Sequence, residues 1–257
     1  MTQLAFITGA SSGIGQALAA HFAAQGYRLA LVARRGAEIE AWLEAQGIPS
    51  EAGRAFTADV RDTDSITAAG RACIAAMGLP DVVIANAGIS VGVDIAERAD
   101  LERVRECFET NVVGLAATFQ PFIEGMRERR SGTLVGIASV AGIRGLPGHA
   151  AYCASKAAVI SLCESLRGEC RDRGVKVVTI CPGYVATPLT SRNRYVMPFL
   201  MTPEAFARQA GAAITAGASY RVIPWQMGIV AKLLRLLPDP VFDRAFAGRP
   251  RKRRAGE

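Results

Sequence analysis

Tyr152 and Lys156 stand four residues apart in A-Y-C-A-S-K-A-A, a helix-forming run over 151–158. At that spacing both side chains leave one helix face about one turn apart. A phenol with an ordinary pKa near ~10 is a poor acid or base at neutral pH, and a neighbouring ammonium favours its phenolate and lowers that value. The pair is a candidate proton-transfer device, although any amphipathic helix can carry Tyr and Lys this way for packing alone. Ser139 closes T-L-V-G-I-A-S, an apolar, β-branched run that predicts a buried parallel strand ending at the hydroxyl. Ligands of open α/β sheets sit outside the carboxyl ends of the strands, and a Gly-containing loop over 141–148 would return the chain so that Tyr152 faces Ser139.

Such a site needs elements to hold it. A short apolar strand over 4–8 runs into T-G-A-S-S-G-I-G (8–15) and then a helix-forming stretch to Gly26. Strand, glycine turn and helix place free N–H groups and the positive end of a helix dipole where a pyrophosphate can sit, though glycine turns also serve conformation alone. The spacing of Gly9, Gly13 and Gly15 differs from the common G-x-G-x-x-G. A second strand over 28–33 ends at Arg34 and Arg35, where a carboxylate would bind the 2′-hydroxyl of NAD. Arginine there pairs with a 2′-phosphate, so NADP (NADPH) is favoured over NAD; the plainer alternative is a solvated helix start.

A third strand over 55–60 holds Asp59, able to accept from an adenine amino group or to cap the helix starting near Asp62. A fourth over 82–85 precedes N-A-G (86–88), where Asn86 can tie strands together and Gly88 lets backbone approach a ligand. A helical region over 100–129 contains Asn111, a mediocre helix former, which signals a buried role for its amide or a local distortion. Another apolar strand over 175–181 closes on P-G-Y-V-A-T (182–187), and a last short one is expected over 220–223. The β-α alternation predicts a doubly wound parallel sheet in one domain over 1–248, with a lid over 184–216.

The formal charge of +7 is largely a tail: without 249–257 it is +3. Like-charge blocks usually stay solvated, so a disordered tail is expected, with no nucleic-acid signature beside it. Six cysteines without a C-x-x-C pair read as reduced thiols of a cytoplasmic protein. Neither a signal peptide nor an apolar run long enough to span a bilayer is found, and no metal-ligand cluster is seen. His149, near Tyr152, can orient substrate or be incidental; His21 reads as a helix-surface residue; Cys153 is a buried thiol or a modifiable one.

These motifs, in this order, resemble the short-chain dehydrogenase/reductase family over about 4–223. The resemblance implies a seven-stranded, mostly parallel Rossmann-type sheet in the order 3-2-1-4-5-6-7, with helices on both faces. It implies a catalytic tetrad of Asn111, Ser139, Tyr152 and Lys156. Tyr152 would exchange a proton with the substrate oxygen, Ser139 would hydrogen-bond that oxygen, and Lys156 would lower the tyrosine pKa and bind the nicotinamide ribose. Asn111 would hold a water linking the lysine to solvent. Cofactor contacts would come from Gly9, Ser11, Ser12, Gly13, Ile14, Gly15, Arg34, Arg35, Asp59, Val60, Asn86, Ala87, Gly88, Tyr152, Lys156, Pro182, Gly183, Val185 and Thr187. The substrate would be a small-molecule ketone or secondary alcohol, and the protein a homodimer or homotetramer. A dinucleotide-binding regulatory or scaffold protein without turnover is the competing class.

The stretch 224–237 lies outside the family's general pattern. Trp225, Ile229, Val230, Leu233, Leu234 and Leu237 alternate with Gly228, Lys232 and Arg235 at helical spacing. This amphipathic helix would pack on the domain, cover a channel for a lipophilic ketone such as a 3-keto lipid, join subunits, or lie at a membrane surface in peripheral contact.

Overall fold

Short apolar runs with period two bury both their faces only when helices cover each side of a sheet. The computed structural model, which describes residues 2–191, 193, 196–248, 252 and 254, meets that demand. Its strands are β1 (Leu4–Thr8), β2 (Arg28–Ala33), β3 (Gly53–Thr57), β4 (Val82–Ala85), β5 (Gly132–Ile137), β6 (Val175–Pro182) and β7 (Tyr220–Ile223). They form one sheet in the order β3-β2-β1-β4-β5-β6-β7, with every pairing parallel. Alternate residues divide between two cores. Leu4, Phe6, Val83 and Leu134 face α3 (Thr63–Met77), α5 (Gly114–Arg129) and α6 (Ala150–Cys170). Ala5, Ile7, Ile84 and Val135 face α1 (Gly13–Ala24), α2 (Gly36–Ala45) and α7 (Pro203–Ala216).

Boundaries depart from expectation where pairing or packing decides them. The β3 ladder ends at the Ala33 and Thr57 pair, so Asp59 and Val60 lie beyond its carboxyl end. Asp62, and not Asp59, caps α3, accepting from the amides of Asp64 and Ser65. The helical region over 100–129 divides into α4 (Asp100–Phe108), a π turn (Glu109–Val113) and α5. Much of the expected lid is core: α7 buries Phe206, Ala207, Ala210 and Ile214 and packs on α1. His21 is half-buried in that seam beside Gly211, which corrects its reading as a surface residue.

Two helices complete the chain after β7. The amphipathic stretch is α8 (Trp225–Leu236), and α9 (Asp239–Phe246), which was not anticipated, follows. Its signals are a proline in the first turn and Phe242 and Phe246 one turn apart, whose rings stack with centroids 4.5 Å apart. Arg144 fastens both helices. It donates to the carbonyls of Arg235 and Leu237 at 3.0 and 3.2 Å, meets Asp239 at 2.8 Å, and covers the Phe242 ring at 4.2 Å. Of the basic stretch 249–257, Lys252 and Arg254 are described and the rest lies outside the described residues. These two correct the expectation of a solvated tail, because the carboxylate of Asp100, 4% exposed, takes Arg254 as its counter-charge at 2.7 Å.

Candidate active site

Ser139 follows β5, where its hydroxyl accepts from the amide of Ala141 at 3.1 Å and starts a single 3₁₀ turn, Val140–Gly142. That turn is pressed onto α6: a Cβ on Gly142 would lie 2.7 Å from the carbonyl carbon of Lys156, so only glycine fits. The close approach brings Tyr152, in the first turns of α6, into the same cavity as Ser139. The cavity holds about 560 Å³ and is also lined by Ser90, His149, Tyr184, Met227, Val230 and Leu234. Lys156 lies behind it, 5% exposed, with its ammonium donating to the carbonyl of Ile137 at 2.7 Å.

Asn111 explains the π turn. Widening the helix by one residue per turn aims the amide inward, a distortion common at functional sites. Its Oδ1 accepts from the amide of Ile89 at 2.8 Å, and its Nδ2 donates to the Ile89 carbonyl at 3.0 Å and to the Ser155 hydroxyl at 2.9 Å. A Cβ on Gly88 would lie 3.1 Å from Asn111 Oδ1 and 3.5 Å from Lys156 Nζ, so the two side chains meet across that glycine. All four members of the expected tetrad therefore lie at one end of the sheet.

Burial dominates the electrostatics of the pair. Burial pushes the Tyr152 phenol up to about 12, and the Ser139 hydroxyl draws it back only in part. Burial also lowers Lys156 to about 8. Burial outweighs every neighbouring group at Tyr152, and the Lys156 ammonium donates to the Ile137 carbonyl. A neutral phenol is a proton donor, beside a hydroxyl able to share the same acceptor. His149 lines the cavity, and burial lowers its pKa, so its imidazole is neutral at pH 7. Burial raises the Cys153 thiol, leaving little reactive thiolate.

The residues expected to contact a dinucleotide stand at the carboxyl ends of β1, β2 and β4. Gly9 and Gly13 have φ of +67° and +57°, and a Cβ on Gly15 would strike the carbonyl oxygen of Gly9. Ser12 precedes α1 without a side-chain cap, and the first turn has no acidic residue, so the helix's leading N–H groups keep their affinity for an anion. Asn86 donates to the carbonyl of Thr8 at 2.9 Å, while the amides of Asn86 and Ala87 donate to the Thr8 hydroxyl at 3.1 and 3.2 Å. Arg34 and Arg35 are exposed at the end of β2, where Arg35 meets the Ser11 hydroxyl at 3.1 Å and Glu38 at 2.9 Å. Asp59 is held by Arg61 at 2.8 Å, which keeps its carboxyl below the usual range.

The Thr187 side chain faces Gly13, with its methyl 3.1 Å from where a Cβ would stand. Pro182 ends β6, Gly183 donates to the Ile223 carbonyl at 2.7 Å, and Val185 is buried. Ile14 is partly buried against the core and Val60 abuts Gly114. These residues are compatible with an NAD(P) cofactor: the glycine cradle, the uncapped helix and the arginines match its pyrophosphate and ribose. Sequence reasoning gave no cavity role to Ser90, Arg144, Tyr184 and Lys252; Ser90, two residues past N-A-G, and Tyr184, inside P-G-Y-V-A-T, had a signal. Among the described residues, no three His, Cys, Asp or Glu side chains are placed to hold a metal ion, and no helix is long and apolar enough to cross a membrane.

A family model described as short chain dehydrogenase matches residues 3–196. The chain is similar to an uncharacterized oxidoreductase of Myxococcus xanthus (strain DK1622), 41% identical over 244 residues that cover 94% of this chain and 95% of that one. It is also similar to an acetoacetyl-CoA reductase of Acinetobacter sp. (strain RA3849), 32% identical over 194 residues covering 75% and 78% of the two chains. Among solved structures, an alcohol dehydrogenase from the archaeon Thermococcus sibiricus, complexed with 5-hydroxy-NADP, superposes with a TM-score of 0.76. Identity there is 25%, covering 87% of this chain and 96% of that one.

Proposed function

This chain belongs to the short-chain dehydrogenase family of oxidoreductases, and we propose that it exchanges hydride between NADP(H) and a ketone or secondary alcohol with an apolar body, using Tyr152 as acid and base. The observation that carries the reading is the meeting of Ser139 and Tyr152 in one cavity, backed by Lys156 and Asn111. The cofactor, when bound, supplies the hydride. The protein then places the substrate oxygen between two hydroxyls. Ser139 hydrogen-bonds that oxygen as negative charge grows on it, and Tyr152 gives it a proton in reduction or takes one in oxidation. Lys156 stands ready to stabilise the phenolate left behind, once its ammonium turns from the Ile137 carbonyl.

An apolar substrate fits the cavity wall, which includes Leu146, Leu189, Met227, Val230 and Leu234. The acetoacetyl-CoA reductase among the relatives gives a 3-oxo compound its place in that class. Replacing the hydroxyl in Tyr152→Phe is expected to lower turnover of any reduced carbonyl by about 10²–10⁴-fold, with NADPH affinity kept in a fluorescence titration. Undiminished turnover would overturn the mechanism. NADP preference is read from Arg34 and Arg35 at the end of β2, with no acid at the last residue of that strand. Arg34→Ala should raise the Michaelis constant for NADPH by about tenfold or more, as expected for a lost charge-assisted bond, and leave that for NADH little changed. Equal effects on the two would remove the 2′-phosphate argument.

A further inference from the structure

The apolar cavity beside Tyr152 also contains an ammonium. Lys252 enters it from far along the chain and donates to the hydroxyl of Ser90 at 2.8 Å. Its placement is anchored two residues on. Arg254 donates through Nε to Asp100 Oδ2 at 2.7 Å, lies 3.9 Å from Glu97, and pairs its backbone with Gly92. Asp100 is buried and its Oδ2 also accepts the amide of Asp94 at 2.7 Å, so removing Arg254 would leave a buried charge without that partner.

Charge in this cavity is one-sided. Among the described residues that line it there is no carboxylate. The other described cation of the lining, Arg144, is neutralised by Asp239 and by two helix-end carbonyls. Among the described residues the partner of Lys252 is a hydroxyl, and burial lowers its pKa, with the Cys107 thiol acting weakly in the other direction. A half-buried cation without a counter-charge is unfavourable until an anion joins it. One ammonium and one hydroxyl in an apolar wall suit a singly charged group better than a phosphate dianion.

We infer that Lys252 and Ser90 bind a carboxylate of the substrate, so that the protein acts on oxo or hydroxy acids whose apolar chain fills the cavity and whose carbonyl lies at Tyr152. This specificity site rests on the oxidoreductase reading above, and is tested by binding so that the two can fail separately. The protein, with and without NADPH, is titrated calorimetrically with oxoalkanoates of rising chain length and with their methyl esters. At least one acid should bind about tenfold tighter than its ester, the size of a charge-assisted hydrogen bond. Lys252→Gln should abolish that difference and leave ester binding unchanged. Lys252→Arg should keep it, and Arg254→Ala, which frees the anchor, should reproduce the loss. No acid bound, each acid bound no better than its ester, or an equal loss for both in Lys252→Gln overturns the inference. Charge-selective binding with no turnover of any probe would support the carboxylate site and count against the oxidoreductase reading.

Discussion

Lys156 works against the fold that holds it. Its side chain is 5% exposed and its pKa falls from 10.5 to about 8, so the folded protein disfavours the charged form. A lysine whose folded value is depressed weakens the protein fully below about pH 8, and the penalty fades as pH rises toward 10.5. Lys156→Met should therefore raise stability by about 1–3 kcal/mol at pH 7, the spread reflecting the lost bond to Ile137. The gain should disappear near pH 10.5, and urea melts at both pH values would check it. A gain that grows with pH would refute this account. Tyr152 has the opposite sign: raised to about 12, it withholds a proton that the unfolded chain would release above its ordinary value of 10.0. Residue types were enough to name both groups, but not the direction in which burial moves the phenol.

Among the elements, the π turn, the glycine cradle and the last two helices each carry a separate lesson. Asn111 was visible as an anomaly inside a helical stretch, and the structure resolves it as a widened turn directed at Ile89 and Ser155. The glycines of the first turn were legible because backbone contacts there leave no space for a Cβ. The role of α8 was not. Its apolar residues separate into Val230 and Leu234, which face the cavity, and Trp225, Ile229 and Leu233, which are exposed. Periodicity shows that such a helix has faces, while its neighbours decide which face is turned inward. Arg144 sets that orientation, with a side chain only 12% exposed that joins α8 to α9. Arg144→Ala should lower stability by about 1–3 kcal/mol through the lost hydrogen bonds and ring contact, and loosen Phe246 at the cavity. A thermal melt, with Michaelis constants for bulky and small ketones, checks this: the bulky substrate should suffer more while NADPH affinity stays the same.

For the molecule as a whole, the sheet's carboxyl edge collects residues from every motif of the expected site. Gly9, Arg34, Asn86, Ser139 and Gly183 follow five different strands yet stand along one rim. Element types and order were readable from the chain, because alternating apolar runs, glycine turns and helix-forming stretches are local patterns, each set by its own residues. The residues of the expected tetrad could be named for the same reason, Ser139, Tyr152 and Lys156 from short motifs and Asn111 as an anomaly inside a helical stretch. Tertiary structure alone decided the rest: where the β3 ladder stops, that α7 is core, that α9 exists to close the cavity, and that Lys252 returns beside Ser90 across 162 residues. It also decided the protonation of Tyr152 and Lys156. Burial and pairing between distant segments depend on the surroundings that folding assembles, and no local pattern in a chain records them.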